Sequence, residues 1–200
     1  MREPQPTDIP LPLFELWLNH AKAGSGLEFP NAMSLATADT QGRPSVRMVL
    51  LKGVSERGFQ FFTNFESRKG RELEANPHAA LCFYWEKTHR SVRVEGKVEM
   101  VSREESQKYF DTRVRESRLG AWASPQSRAL KSRSELEQKL AEVQQRYQGV
   151  EQIPVPPHWG GFCLVPETIE FWVNVPNRLH DRFVYKANGS GGWAFTRLAP

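Results

Sequence analysis

The stretch MSLATADTQGRPSVRMVLLKG, residues 33–53, decides the fold class. Apolar positions alternate with small or polar ones across MSLATAD, TQGR supplies a turn, and PSVRMVLLKG resumes apolar, β-branched composition. The segment therefore predicts two strands joined by a tight connection. GFQFFTN (58–64), AALCFYWE (79–86) and SVRVEGKVEMV (91–101) read as further strands, and so do GFCLVPETIEFWV (161–173) and RFVYKANGSGGWAFTRLAP (182–200), with a hairpin turn at 188–192.

Helices are predicted around this β framework. Leu13, Phe14, Trp17, Leu18 and Ala21 recur at helical spacing and stop before Gly24. A second helix fits SRKGRELEANP (67–77), which Pro77 ends. Ser102 and Glu105 have capping-box spacing, so a helix should run through Tyr109 and Phe110. Ser134 and Glu137 repeat that signal ahead of Leu136, Leu140 and Val143, a narrow apolar stripe on a charged helix. IPVPPHWGG (153–161) is expected to be a loop. Five to seven strands on short connections give a mainly β chain, an antiparallel barrel or closed sheet with peripheral helices. Helical crossovers do not alternate with the strands, which disfavours a doubly wound fold.

With 200 residues and 39% hydrophobic content, one core and one domain over 1–200 are expected, with 1–10 as a flexible lead. The 27 Lys and Arg are interleaved with 23 Asp and Glu, so the net charge of +4 marks no basic stripe of the nucleic-acid-binding kind. A few basic sites aimed at small phosphorylated ligands fit the same count. Cys82 and Cys163 lie in apolar runs and read as buried thiols rather than a disulfide. Tyr84, Trp85, Trp159, Phe171 and Trp172 read as core aromatics. No run approaches a membrane span and residues 1–10 lack a secretory pattern, so the cytoplasm is the expected compartment. The five His are scattered without ligand spacing, and no metal is expected. There is no G-x-S-x-G elbow, no G-x-G-x-x-G and no Walker-type loop, so a nucleotide would be held by side chains and strand backbone.

Three segments carry candidate chemistry. In RMVLLK (47–52), alternation puts Arg47 and Lys52 on opposite faces, so either one of them is solvated at a sheet edge, or each meets a different anion, or a bulge redirects one. TNFESRKGRE (63–72) joins a strand to a helix start, where Arg68 and Lys69 oppose the macrodipole unless an anion sits between them; a solvated turn is the alternative. In NRLHDR (177–182), an extended backbone would put Arg178, His180 and Arg182 on one face, either as a ligand site or as a salt-bridge cluster with Asp181.

These segments in this order, with a C-terminal RLAP, resemble the pyridoxine 5′-phosphate oxidase family from about Met33 to Pro200. The resemblance implies a split β-barrel homodimer with FMN at the subunit interface. It further implies oxidation at C4′ of pyridoxine or pyridoxamine 5′-phosphate, with hydride passing to flavin N5 and O₂ becoming H₂O₂. By position, FMN would contact Arg47, Met48, Val49, Leu50, Leu51 and Lys52; Phe62, Thr63, Arg68 and Lys69; and Gln126, Ser127, Trp172 and Arg182. Arg47, Arg68 and Lys69 would be its phosphate partners. Substrate phosphate would meet Lys52, Tyr109, Arg113 and Ser117, while Arg178, Leu179 and His180 face the ring, with Arg178 and His180 in the catalytic role.

The chain departs from the family at Ser91 and Arg118, where Gln is usual, and at Val173, Asn174, Val175 and Pro176, which replace a Gln-containing, Gly-rich stretch. Its lead is also short, which implies a reduced lid. The changes after Trp172 favour one rival, a related flavin oxidoreductase of the phenazine-biosynthesis type; a non-catalytic FMN or pyridoxal phosphate carrier is a second, and a basic nucleic-acid binder, which no clustered basic stripe supports, a third.

Overall fold

A computed structural model describes residues 2–24 and 26–200. Helix α1 (Pro10–Gly24) precedes strands β1 (Ala32–Ala38), β2 (Pro44–Leu50), β3 (Gly53–Ser55) and β4 (Gly58–Asn64). Helix α2 (Arg68–Ala75), β5 (His78–Trp85) and β6 (Arg90–Met100) follow, then α3 (Arg103–Asp111), α4 (Arg115–Ala123) and α5 (Arg133–Arg146). The chain closes with β7 (Trp159–Val173), β8 (Asp181–Ala187) and β9 (Trp193–Leu198). All nine strands join one antiparallel sheet in the order β2-β1-β5-β6-β7-β4-β3, with β8 on β7 and β9 on β8.

The mainly β expectation holds, although strands number nine among the described residues rather than five to seven. β7 explains how the sheet curls. One of its edges pairs with β6 over Phe162–Val173, whereas the other pairs with β4 over Trp159–Leu164 and with β8 over Thr168–Val173. Pro166 interrupts the run between those halves, where it can donate no ladder bond, and the partner strand shifts register at Glu95/Gly96. Gly96 is required there, since a Cβ would fall 2.0 Å from the Val165 carbonyl.

Helix α1 fills the concave side. Leu13, Phe14, Trp17, Leu18 and Ala21, the positions spaced for a helix, are all buried. Phe14 packs 4.8 Å from both Phe59 and Phe83, and Trp17 lies edge-on to Phe171 at 5.0 Å. Truncating such a ring costs about 3–5 kcal/mol. Ahead of α1, Pro4 is buried and Tyr185 Oη donates to the Gln5 carbonyl at 2.8 Å, so the lead expected to be flexible is held against the sheet. A second apolar cluster, with Phe110, Leu119, Tyr147, Ile153, Val155 and Trp159, lies under α3 to α5. Among the described residues no helix is long and apolar enough to cross a membrane.

Three local expectations need correction. Helix α4 was not anticipated, because its N-cap, Val114, offers no side-chain acceptor. Helix α5 starts two residues early: Ser132 Oγ accepts from Glu135 N at 3.3 Å, and Glu135 Oε2 accepts from Lys131 N at 2.9 Å. Finally, Tyr84 is 60% exposed and Trp172 half-buried, so these two aromatics are not core.

Candidate active site

The segment after β4 folds back on itself through its own polar groups. Asn64 Oδ1 accepts from Glu66 N at 2.7 Å, and Ser67 caps α2 by accepting from Gly70 N at 3.3 Å. Position 70 tolerates no side chain, because a Cβ would sit 2.0 Å from the Phe65 carbonyl. The fold-back turns Lys69 inward. Its ammonium donates to Gln126 Oε1 (2.8 Å), Thr63 Oγ1 (3.0 Å) and Ser67 Oγ (3.1 Å), and the residue is 9% exposed. Among the described residues no carboxylate pairs with it. Burial, with Arg47 nearby, brings this ammonium down to about 8.

Arg47 and Arg68 meet a different environment, since both pair with Glu72. Burial pushes the Glu72 carboxyl up, but hydrogen bonds from Ser45, Thr37, Arg68 and Arg47 outweigh it and hold the group at about 2. Lys69 is thus the cation of this cluster that lacks a protein counter-charge.

A cavity of about 600 Å³ opens beside Lys69. Arg47, Met48, Val49, Leu50 and Lys52 form one wall, with Phe62, Thr63 and Gln126 beneath. Tyr109, Arg113 and Ser117 close the far side. Phe62 stacks on Tyr109 at 4.0 Å, and Lys52 Nζ lies 5.9 Å from the Tyr109 ring centre. Arg113 lies over the Trp159 ring at 4.9 Å, and its Nη1 is buried without a hydrogen-bond partner. Leaving such a donor unpaired is costly, so it marks a place where an acceptor belongs.

The remaining site candidates lie elsewhere. Trp172 and Arg182 border a second concavity of about 440 Å³ with Ser91, Cys82, Arg93 and Glu170. Arg182 grips Glu170 through two bonds, Nε to Oε1 (2.9 Å) and Nη2 to Oε2 (3.0 Å), and Arg93 also donates to Oε2. The expectation that Arg178, His180 and Arg182 share an extended face is not met. Asn177 and Arg178 adopt left-handed backbone, with φ of 61° and 62°, in a short turn opened by Pro176. Arg178 and Leu179 are exposed. His180 packs on Trp172 with ring centres 4.7 Å apart, and its Nδ1 accepts from Val175 N at 3.2 Å. That bond leaves Nε2 to carry the proton of the neutral ring.

Among the candidates, Leu51, Arg68 and Ser127 fall outside the 600 Å³ cavity. Leu51 is 5% exposed in the main core and Arg68 points largely to solvent, while Ser127 occupies a left-handed turn, φ 67°, beside Gln126. Sequence reasoning missed Glu72, Glu170 and Arg93, whose roles depend on contacts between distant elements. One local signal existed, the i,i+4 spacing of Arg68 and Glu72.

Residues 20–147 match the family described as pyridoxamine 5′-phosphate oxidase, and residues 159–200 match the pyridoxine 5′-phosphate oxidase C-terminal dimerisation region. The chain belongs to the pyridoxine/pyridoxamine 5′-phosphate oxidase family. Among family members, the pyridoxine/pyridoxamine 5′-phosphate oxidase of Rhodospirillum rubrum is 56% identical over 196 residues, covering 96% of each chain. That of Salinibacter ruber is 52% identical, covering 97% of this chain and 90% of its own. Of solved structures, PhzG from Burkholderia lata, in complex with tetrahydrophenazine-1-carboxylic acid, superposes with a TM-score of 0.92 at 33% identity, covering 100% of this chain and 98% of its own. An FMN-binding protein from Nostoc punctiforme related to pyridoxamine 5′-phosphate oxidase shares the fold, with a TM-score of 0.77 at 19% identity over 97% of this chain and 100% of its own.

Proposed function

We propose that this chain is an FMN-dependent oxidase of pyridoxine or pyridoxamine 5′-phosphate that yields pyridoxal 5′-phosphate and passes electrons to O₂. The observation that carries the reading is the buried Lys69 ammonium, bonded only to neutral oxygens at the wall of a 600 Å³ cavity. A phosphate there supplies the missing counter-charge. The Arg113 Nη1 that lacks a partner supports a second anion in the same cavity.

FMN, when bound, supplies a two-electron acceptor that O₂ can reoxidise. The protein's part is binding and orientation. Lys69 would hold the cofactor phosphate, its ammonium oriented by Thr63 and Gln126, with Arg47 beside it. Lys52, Arg113 and Ser117 hold the substrate phosphate against the Phe62, Tyr109 and Trp159 rings. His180 offers an Nε2–H donor to a polar ring substituent, and Arg178 lies against the ring.

The two concavities of one protomer share no lining residue. A homodimer that sets the Trp172 and Arg182 concavity of one copy against the Lys69 cavity of the other would complete the site. The exposed Val46 and Met48, at 69% and 64%, and the match to a dimerisation region support that assembly.

A second reading is favoured by the likeness to PhzG and by the altered Val173, Asn174, Val175 and Pro176 stretch beside His180. There the substrate would be a reduced phenazine acid. The test is to incubate the FMN-loaded protein under air with pyridoxine phosphate, pyridoxamine phosphate or tetrahydrophenazine-1-carboxylic acid. Formation of pyridoxal phosphate with H₂O₂ supports the first reading. Turnover of the phenazine alone overturns it, and failure to bind FMN overturns both.

A further inference from the structure

Glu72 stands behind the cavity wall rather than in it. Its carboxylate is 7% exposed and accepts four hydrogen bonds from three elements. Oε2 takes Thr37 Oγ1 (2.5 Å) from β1, with Ser45 Oγ (2.6 Å) and Arg47 Nη2 (3.2 Å) from β2. Oε1 takes Arg68 Nε (2.8 Å), one turn back along α2. The consequence for Arg47 is specific. Its Nη1 also donates to the Leu35 carbonyl (3.1 Å) and Thr37 Oγ1 (2.6 Å), and its Nη2 to Ser45 Oγ. Of the five donors on a guanidinium, only Nε–H is left without an acceptor among the described residues. A buried polar scaffold therefore sets where this cation stands.

We propose that Glu72 is a positioning residue of the anion site, fixing the Arg47 and Arg68 guanidinium groups and trimming the cluster's charge to match a phosphate monoester dianion. Arg47, Arg68 and Lys69 carry three positive charges, and one buried carboxylate leaves two. A phosphate monoester carries close to two negative charges at neutral pH. The four donors on Glu72 keep it ionised across that range, in line with its position at about 2. Without it, Arg47 Nη2 would keep Ser45 Oγ alone as acceptor, and the repulsion between Arg47 and the buried Lys69 would lose the carboxylate that offsets it.

This inference rests on the FMN reading, and the test separates the two. The ligand-free chain is titrated with FMN and with riboflavin, which lacks only the phosphate, following flavin fluorescence. The ratio of the two dissociation constants isolates the anion site. Glu72→Gln should weaken FMN by about tenfold, the scale of one charged hydrogen bond, and leave riboflavin within about twofold. Glu72→Asp keeps the charge on a shorter arm and should recover part of the preference for FMN. Equal weakening of both flavins, or no change in either, assigns Glu72 to the fold alone and overturns the proposal. Loss of folding in both variants, read by circular dichroism, does the same. If only Glu72→Asp folds, a wild-type flavin ratio in that variant overturns it. A wild-type chain that binds FMN no better than riboflavin would instead sink the cofactor reading itself.

Discussion

Lys69 Nζ lies 2.8 Å from Gln126 Oε1, a contact that ties the start of α2 to the segment after α4 across 57 residues of chain. Thr63 Oγ1 also donates to that oxygen, at 3.1 Å. Two donors on one amide oxygen fix the side chain and aim the buried ammonium at the cavity. The segment is further held by Asn64 Nδ2 on the Ser124 carbonyl and by Arg128 on Glu66.

Replacing Lys69 by Met therefore has opposite effects on fold and function. The apolar side chain fills similar volume without a buried charge, so thermal stability of the ligand-free protein should hold or rise. FMN affinity should fall by about ten- to a hundredfold, the scale of a charged hydrogen bond. Flavin fluorescence titration beside a melting curve reads both. Parallel losses in the two would make Lys69 a residue of the fold.

The depressed Lys69 also predicts a pH dependence. In the folded, ligand-free chain the ammonium titrates near 8, against 10.5 for the unfolded chain. Between those values the unfolded state binds more protons, so stability rises with pH through that window. Tyr185 works the other way. Burial raises its hydroxyl to about 12, and the stabilisation it contributes is lost as pH climbs beyond 10. The gain from Lys69 should thus appear as a Tm rising between about pH 8 and 9.5, and it should shrink when phosphate or FMN holds the ammonium charged. A flat Tm over that range in ligand-free protein would contradict the assignment.

How far the sequence could be read follows the range of the interactions. Met33, Leu35 and Thr37 alternate on β1 and are all buried, because one strand's pleat is a local property. The Ser102 and Glu105 box closes as spaced, with both reciprocal bonds formed. Ambiguity enters where two local solutions compete: Ser132 and Ser134 each precede a Glu by three residues, and the bond from Lys131 N to Glu135 favours the first. Pattern fails where the backbone leaves its ideal path, as at Asn177 and Arg178, whose left-handed turn breaks the alternation assumed for NRLHDR. Glu72 was missed for another reason, since its spacing to Arg68 marks only a helix-surface ion pair. Its meaning lies in Thr37 and Ser45, 35 and 27 residues away.

Arg113 should separate substrate from cofactor. Its guanidinium rests on Trp159 with Nη1 unpartnered, and burial lowers it from its ordinary value. Arg113→Gln should raise KM for a phosphorylated vitamer by about ten- to a hundredfold and leave FMN affinity unchanged. Steady-state kinetics and flavin titration on one preparation check this. Equal damage to FMN binding would move Arg113 to the cofactor phosphate.

Arg178 invites a sharper experiment, because its backbone and its side chain have opposed interests. At φ 62° a residue with a Cβ sits in left-handed space, which costs on the order of 1 kcal/mol, and the neighbouring Asn177 sits there too. Gly has no such penalty. Arg178→Gly should therefore raise Tm by about 2–4 °C, as expected for 1 kcal/mol in a chain of this size. The same change removes the guanidinium that would face the substrate ring, so turnover should fall steeply while FMN remains bound. Arg178→Ala keeps the Cβ and its backbone cost, and should lose turnover without the gain in Tm. If Arg178→Gly lowers Tm, the turn is held by side-chain contacts of Arg178 rather than in spite of them, and the exposed guanidinium becomes a structural group.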